Sequence, residues 1–380
     1  MNYIKIIEEI FRQYQGPKFS VQLWDSKERF YGYGKSANFK LIIKDKVTVQ
    51  RLLSQGSLGF GESFMDGSLD IKGDIEAYLR LRHNFKKVRP SFSLTFTKFL
   101  ASYKIPKDRR NQIAYHYDLG NDFFKMILDH KTMSYSAGLY IKISESLGNA
   151  QRNKLDFICK WLNLPKEAFV LDLGSGWGGF ALHAAKKHKW HVTGFTLSKA
   201  QLDYCCELIR SNHLEHLISF EYQDMLINFP KTKFDGIAMI ESIEHVSQKK
   251  LKPFFSKIKS ILKKEAPFVI QLTGRYIPKR VDRWTLKHVF PGGYLPAKEE
   301  LLEAAGEAGF LIEEYRDDTE DYIRTMTEWI RNLEDHQSDI EKLFDKRFYR
   351  LWYLWMHGAK VNFELGEMSL FRIKLRNLKD

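Results

Sequence analysis

The run Val170-Leu-Asp-Leu-Gly-Ser-Gly-Trp-Gly-Gly179 carries the strongest chemical signal in the chain. An apolar segment ends in Asp172, glycines follow at 174, 176 and 179, and a helical stretch begins at Phe180. Glycines at this spacing allow a tight turn whose backbone comes close to a ligand, the opening of a Rossmann-like nucleotide site. A nicotinamide site calls for Asp or Glu at the end of the next strand, to hold the ribose hydroxyls. Here that strand, His191 to Thr196, runs into Phe195-Thr-Leu-Ser198. Asp172, two residues ahead of the first glycine, fits the other common user of such a turn, S-adenosylmethionine. The stretch reads as a methyl-donor pocket.

The elements that must hold this turn follow from the hydrophobic pattern. From about residue 150 onward, strands are predicted at 168–173, 190–196, 217–222, 234–241, 266–273 and 308–315, mostly separated by helical periodicity. That order implies a mostly parallel sheet with helices on both faces. Ligands of such sheets bind at the carboxyl ends of the strands. Those ends are Gly174–Gly179, Thr196–Gln201, Gln223–Met225, Glu241–His245 and Gln271–Gly274. An inserted helix and turn are expected between Arg283 and Pro296, and two aromatic-rich helices between Asp318 and Ala359. Upstream, residues 1–85 form an α+β module: a helix to about residue 15, then strands near Val21–Trp24, Phe30–Tyr33 and Phe39–Ile43. Helical character returns at 48–53, Leu58 to Gly67 mixes turn glycines with large apolar residues, and a further helix covers 74–83. Residues 86–115 form a linker in which basic residues alternate with aromatics, and 116–380 form the second domain.

Composition bounds the partners. The chain has 380 residues, a net charge of +13 and 14% aromatic residues, so an anionic partner is expected, nucleic acid or an acidic lipid surface. No motif that recognises a base is present, and no nucleic acid is expected. Cys159, Cys205 and Cys206 form no C-x-x-C pair and suit reduced thiols in a cytoplasmic protein. No run approaches the roughly 20 apolar residues of a membrane span. The expected location is the cytoplasm, peripherally on the inner membrane surface.

Several stretches together resemble the cyclopropane-fatty-acyl-phospholipid synthase family, which includes the mycolic acid cyclopropane synthases. They are Gly61-Glu-Ser-Phe-Met-Asp-Gly67, Ala114-Tyr-His-Tyr-Asp-Leu-Gly-Asn-Asp-Phe-Phe124, Met133-Ser-Tyr-Ser136, Leu171 to Gly178, Thr196-Leu-Ser198 with Gln201, Ile243-Glu-His-Val246 and Phe290-Pro-Gly-Gly293. The resemblance covers nearly the whole chain. It implies a Rossmann-like class I S-adenosylmethionine-dependent methyltransferase fold, α/β in class, with a smaller N-terminal α+β domain. It implies methyl transfer from S-adenosylmethionine to the cis double bond of an unsaturated phospholipid or fatty-acyl chain at a transiently visited anionic membrane. A homodimer is compatible with it, and no metal is expected.

By the same resemblance the donor is held by Tyr135, Ser136, Gly174, Gly176, Thr196, Leu197 and Gln201, with Met225 and Leu226 near the adenine. Asp172, Ser175 and Gly178 of the glycine turn complete this set. The family builds its chemical site from a Cys, a Glu, a His and a Tyr around a bicarbonate ion, so bicarbonate is the second expected small molecule. This chain has Glu244 and Tyr322, but Ala137 at the Cys position and Gln271 at the His position. Gln271 cannot take up a proton or a positive charge. A methylene or methyl-branched product therefore stands beside ring closure as an expected outcome.

Overall fold

The computed structural model describes residues 3–84, 120–227 and 229–378, and the chain divides into two compact units. The basic linker predicted at 86–115 lies outside the described residues, as do His116 and Asp118 of the adjoining motif. The first unit joins the N-terminal region to Asp282–Val289 and Glu334–Val361, which the sequence reading placed in the second domain. Its sheet has the order β2-β1-β3-β4. β1 (Phe19–Gln22) pairs antiparallel with β2 (Glu28–Tyr31) and parallel with β3 (Phe39–Ile43), which pairs antiparallel with β4 (Leu69–Gly73). Phe39, Leu41 and Ile43 alternate inward along β3, the two-residue period of a strand with one buried face. Around the sheet lie α1 (Tyr3–Arg12), α2 (Lys46–Gln55), α3 (Ser57–Asp66) and α4 (Ile75–Asn84).

One expectation needs correction here. The glycines of Leu58 to Gly67 do not make turns, because Ser57–Asp66 is the helix α3. Gly61 serves packing instead. A Cβ there would come within 2.2 Å of the Trp284 indole on the short helix Arg283–His288 of the same unit. Only Gly67, at φ +75°, ends the helix in the left-handed conformation that favours glycine.

The second unit is built on a seven-stranded sheet of order β10-β11-β9-β8-β5-β6-β7. β5 (Phe169–Leu173), β6 (His191–Thr196), β7 (Ile218–Tyr222), β8 (Gly236–Ile240) and β9 (Pro267–Gly274) run parallel. β11 (Ser369–Asn377) lies antiparallel between β9 and β10 (Phe310–Asp317). The six predicted strands are present within two residues of their expected starts. The seventh, β11, is absent from the sequence reading, which carried no element past Ala359.

Alternate residues of the central strands feed two separate cores. Leu171, Leu173, Ile237, Met239, Phe268, Ile270 and Leu272 pack with α9 (Leu251–Ile261) and α10 (Lys298–Glu307) on one face. Val170, Ala238 and Val269 pack on the other face with α6 (Leu147–Leu162), α7 (Gly179–His188) and α8 (Lys199–Ser211). Both faces of β9 are dry, and all eight of its residues are buried. Each large apolar side chain so buried contributes roughly 1.5–3 kcal/mol. This rigid slab fixes where the strand ends, and hence the loops after them, can stand. α5 (Asn121–Ile127) and, up to Leu333, α11 (Thr319–Asp335) belong to the same unit.

Candidate active site

A cleft of about 890 Å³, counted with its mouth, opens at the carboxyl ends of β5, β6 and β8. The glycine turn forms one wall. Gly174, Gly176 and Gly178 have φ of +86°, +54° and +79°. At Gly174 a Cβ would stand 2.5 Å from the Cβ of Ser242, so the residue must be glycine on both counts. Asp172 is 1% exposed and its Oδ2 has no partner among the described residues. Burial pushes its carboxyl up to about 7.

Ten of the twelve expected donor residues line this cleft: Tyr135, Ser136, Asp172, Gly174, Ser175 and Gly176, then Thr196, Leu197, Gln201 and Met225. Gly178 and Leu226 do not. Gly178 is the N-cap of α7, and Leu226 donates its backbone N–H to Asp224 Oδ1 at 2.9 Å. The Thr196–Gln201 segment is held by its own side chains. Thr196 Oγ1 donates to Gln201 Oε1 at 2.8 Å, and Ser198 caps α8 by accepting from Gln201 N.

At the far side of the cleft, Ala137, Gln271 and Tyr322 meet, and they meet around Glu241. Ala137 N and Gln271 Nε2 each donate to Glu241 Oε1 at 2.8 Å, and Tyr322 OH donates to Oε2 at 2.6 Å. Glu241 lines the cleft, whereas its three donors do not. Glu244 stands elsewhere. Its Oε1 accepts from Thr273 N at 2.6 Å, its Oε2 has no partner among the described residues, and it is 4% exposed. Burial, reinforced by the charge of Glu241, pushes the Glu244 carboxyl up to about 8. Burial and then Glu241 hold the Tyr322 phenol well above its ordinary value, so it stays a donor.

The orientation of Gln271 is set from behind. Arg372 of β11, 1% exposed, donates from Nε to Gln271 Oε1 at 2.8 Å. Arginine has only donors, so the amide oxygen must face it and the amide nitrogen must face Glu241. Arg372 also bonds Gly138 O at 2.7 Å, Asp321 Oδ2 at 3.3 Å and the carboxylate of Asp318. The loop bearing Ala137 is pinned by α11, since Thr325 Oγ1 accepts from Gly138 N and Asp321 Oδ1 accepts from Tyr140 N.

Aromatic rings close the same end. Tyr135 stacks on Trp329 at 5.2 Å, Phe124 meets Tyr135 edge-on at 5.2 Å, and Tyr322 lies across Trp329 at 6.2 Å. Such faces favour a nearby cation and exclude water. From α6, Gln151 Nε2 donates to Ser136 O at 2.7 Å and Lys154 Nζ to Ser136 Oγ at 2.8 Å. Burial brings the Lys154 ammonium down to about 8.

Glu241, Arg372, Gln151 and Lys154 are the site residues that sequence reasoning passed over. Glu241 sits inside the predicted strand-end cluster, where the resemblance singled out Glu244. Gln151 and Lys154 carry a detectable signal. They fall on the apolar stripe of α6 with Leu147, Ala150, Leu155 and Ile158, and a lysine there must have a partner inside.

The family model for mycolic acid cyclopropane synthetase matches residues 105–373, and a domain of unknown function matches residues 6–106. A probable fatty acid methyltransferase from Pseudomonas putida is 26% identical over 368 residues, covering 93% of this chain and 90% of the relative. A cyclopropane-fatty-acyl-phospholipid synthase from Escherichia coli strain K12 is 28% identical over 353 residues, covering 89% and 88% respectively. Among solved structures, a mycolic acid cyclopropane synthase complexed with SAH and CTAB has a TM-score of 0.67 at 24% identity. That match covers 71% of this chain and 99% of the other.

Proposed function

The chain belongs to the mycolic acid cyclopropane synthetase family and is an S-adenosylmethionine-dependent methyltransferase of class I fold. From that premise we propose that it adds a methyl-derived carbon to the cis double bond of an unsaturated phospholipid acyl chain and closes a cyclopropane ring. The observation that carries this reading is the Glu241 carboxylate, held by three donors beside a wall of Tyr135, Trp329 and Tyr322. An alkene has no heteroatom to grip, so its site must rely on shape, dryness and faces that tolerate a cation. A carboxylate within reach of the added methyl then supplies the proton acceptor that ring closure needs.

The cleft fits the donor. Asp172 Oδ2 is a buried acceptor awaiting a partner, and a Cβ at Gly176 would stand in open space that the bare backbone leaves to a ligand. Tyr135, Ser136, Asp172, Thr196 and Gln201 would hold S-adenosylmethionine there, along with the backbone of the turn. When bound, it supplies an electrophilic methyl group. Gln151 and Lys154 hold the Ser136 segment in place, Trp329 and Phe124 orient Tyr135, and the aromatic wall keeps water from the acyl chain.

The net charge of +13 supports approach to an anionic bilayer. Among the described residues no helix is long and apolar enough to cross a membrane. The test is incubation with methyl-labelled S-adenosylmethionine and vesicles of dioleoyl phosphatidylglycerol, with products identified by mass spectrometry. Cyclopropane-bearing acyl chains are expected. Label confined to soluble amines, or unlabelled lipid with donor in excess, would overturn the reading.

A further inference from the structure

The resemblance drawn from the sequence calls for bicarbonate at this site, and the residues present do not fit it. Three of the four positions assigned to that ion are Ala137, Gln271 and Tyr322. Their donors already point at one anion, the carboxylate of Glu241, at 2.8, 2.8 and 2.6 Å. A second anion in the same place would find those three donors already engaged, and it would meet like-charge repulsion in a poorly solvated pocket. The fourth position, Glu244, turns its Oε1 to Thr273 N and takes none of the three donors, which all converge on Glu241.

We infer that Glu241 is the built-in proton acceptor of this enzyme, a covalently attached carboxylate that does the work of a bicarbonate ion and makes turnover independent of it. The inference rests on the proposed lipid reaction. Two further observations point the same way.

The first is backbone conformation. Glu241 sits at φ +48°, the left-handed region that a side chain enters at a cost. Glycine would sit there without strain, so the carboxylate is held against a local penalty, as residues at functional sites often are. The strain is sustained by the Glu241 N–H bond to Gln271 O at 2.7 Å and by the three side-chain contacts.

The second is lone-pair count. A carboxylate has about four acceptor positions. Oε1 accepts twice and Oε2 once, which leaves one position on Oε2, in a residue that lines the cleft. A proton leaving the methyl carbon already added to the acyl chain passes to that lone pair. The C–H electron pair becomes the last C–C bond of the ring, and the chain's positive charge is discharged. Arg372 is a positioning residue in this scheme. By taking Gln271 Oε1 it keeps the amide N–H on Glu241.

The experiment uses the full-length enzyme with dioleoyl phosphatidylglycerol vesicles in carbon-dioxide-scrubbed buffer, with and without added bicarbonate. Wild-type turnover is expected to be the same in both. Loss of wild-type turnover on scrubbing, restored by bicarbonate, overturns the inference. E241Q, which keeps the shape and removes the base, is expected to lose about 10²–10⁴-fold in turnover while binding S-adenosylmethionine with wild-type affinity by calorimetry. Full turnover by E241Q also overturns it. E241G relieves the left-handed strain and vacates the three donors. It is expected to be inactive in scrubbed buffer and to regain turnover with bicarbonate.

A binding measurement separates this inference from the lipid reading. Carbon-13 NMR of labelled bicarbonate is expected to show binding to E241G and none to the wild type. Equal binding to both overturns the carboxylate assignment even if the lipid reaction stands. Should the wild type leave the lipid untouched, the proposed reaction fails, and bicarbonate binding confined to E241G would still support Glu241 as the resident anion.

Discussion

Replacing Glu244 by glutamine tests the division of labour between the two carboxylates. Glu244 is buried, with one oxygen bonded to Thr273 N and the other unpartnered among the described residues. Burial raises its carboxyl from 4.5 to about 8, so the folded protein binds this proton more tightly than the unfolded chain. The stability it contributes is fully present below about pH 4.5 and is lost as pH rises through about 8. A rise of 3.5 units at about 1.4 kcal/mol per unit gives a ceiling of about 5 kcal/mol. E244Q keeps the acceptor for Thr273 N and cannot ionise. Urea denaturation of both proteins should therefore give equal stability near pH 4, with E244Q ahead by up to about 5 kcal/mol near pH 9. Asp172 titrates in both proteins and cancels in the difference. Parallel pH profiles for the two would refute the reasoning, because they would mean that Glu244 is already ionised at no cost. The same pair reports on chemistry. A Glu244 that is protonated at neutral pH is no base, and E244Q should turn over within about tenfold of wild type. A loss of about 10²–10⁴-fold would return the base to Glu244.

Three further outcomes are expected. Asp172 accepts from a bound ligand best when ionised, so S-adenosylmethionine affinity should rise with pH through about 7. D172N should weaken binding by about 10–150-fold, the worth of a hydrogen bond to a charged group, and should flatten that pH dependence in calorimetry. Arg372→Met leaves the buried Asp321 without its charge partner, while Asp318 keeps Arg316, and should cost about 3–5 kcal/mol in urea unfolding; a loss below about 1 kcal/mol would mean that Asp321 finds another partner. Gly174→Ala places a methyl group 2.5 Å from Ser242 Cβ at φ +86°, and it should abolish donor binding in calorimetry while β5 and the core behind it persist in circular dichroism.

The parallel sheet and the donor turn were legible because both are local patterns. Val170 to Leu173 is an apolar run that ends in glycines, and φ of +86° and +54° at Gly174 and Gly176 is a demand that only glycine meets cheaply. β5, β8 and β9 likewise announce themselves as short apolar runs, since a strand buried on both faces needs little beyond that. The α3 helix misled because Gly61 looks like a turn residue until a tryptophan more than 200 positions away is seen to need the space.

The chemical end of the site was decided by tertiary structure. Ala137, Glu241, Gln271, Tyr322 and Arg372 come from five separate segments, and nothing in their spacing says which carboxylate the three donors will choose. That choice follows from the geometry after β8. The backbone turns left-handed at Glu241 and aims its side chain at the cleft, while the Ile243–His245 turn carries Glu244 back toward β9. The amide of Gln271 is oriented by an arginine on β11, a strand whose place between β9 and β10 is a fact of long-range pairing alone. Residue types determined that a methyl donor could be bound; the packing of distant segments determined which acid would face it, because hydrogen bonds are made in space and sequence separation leaves them unspecified.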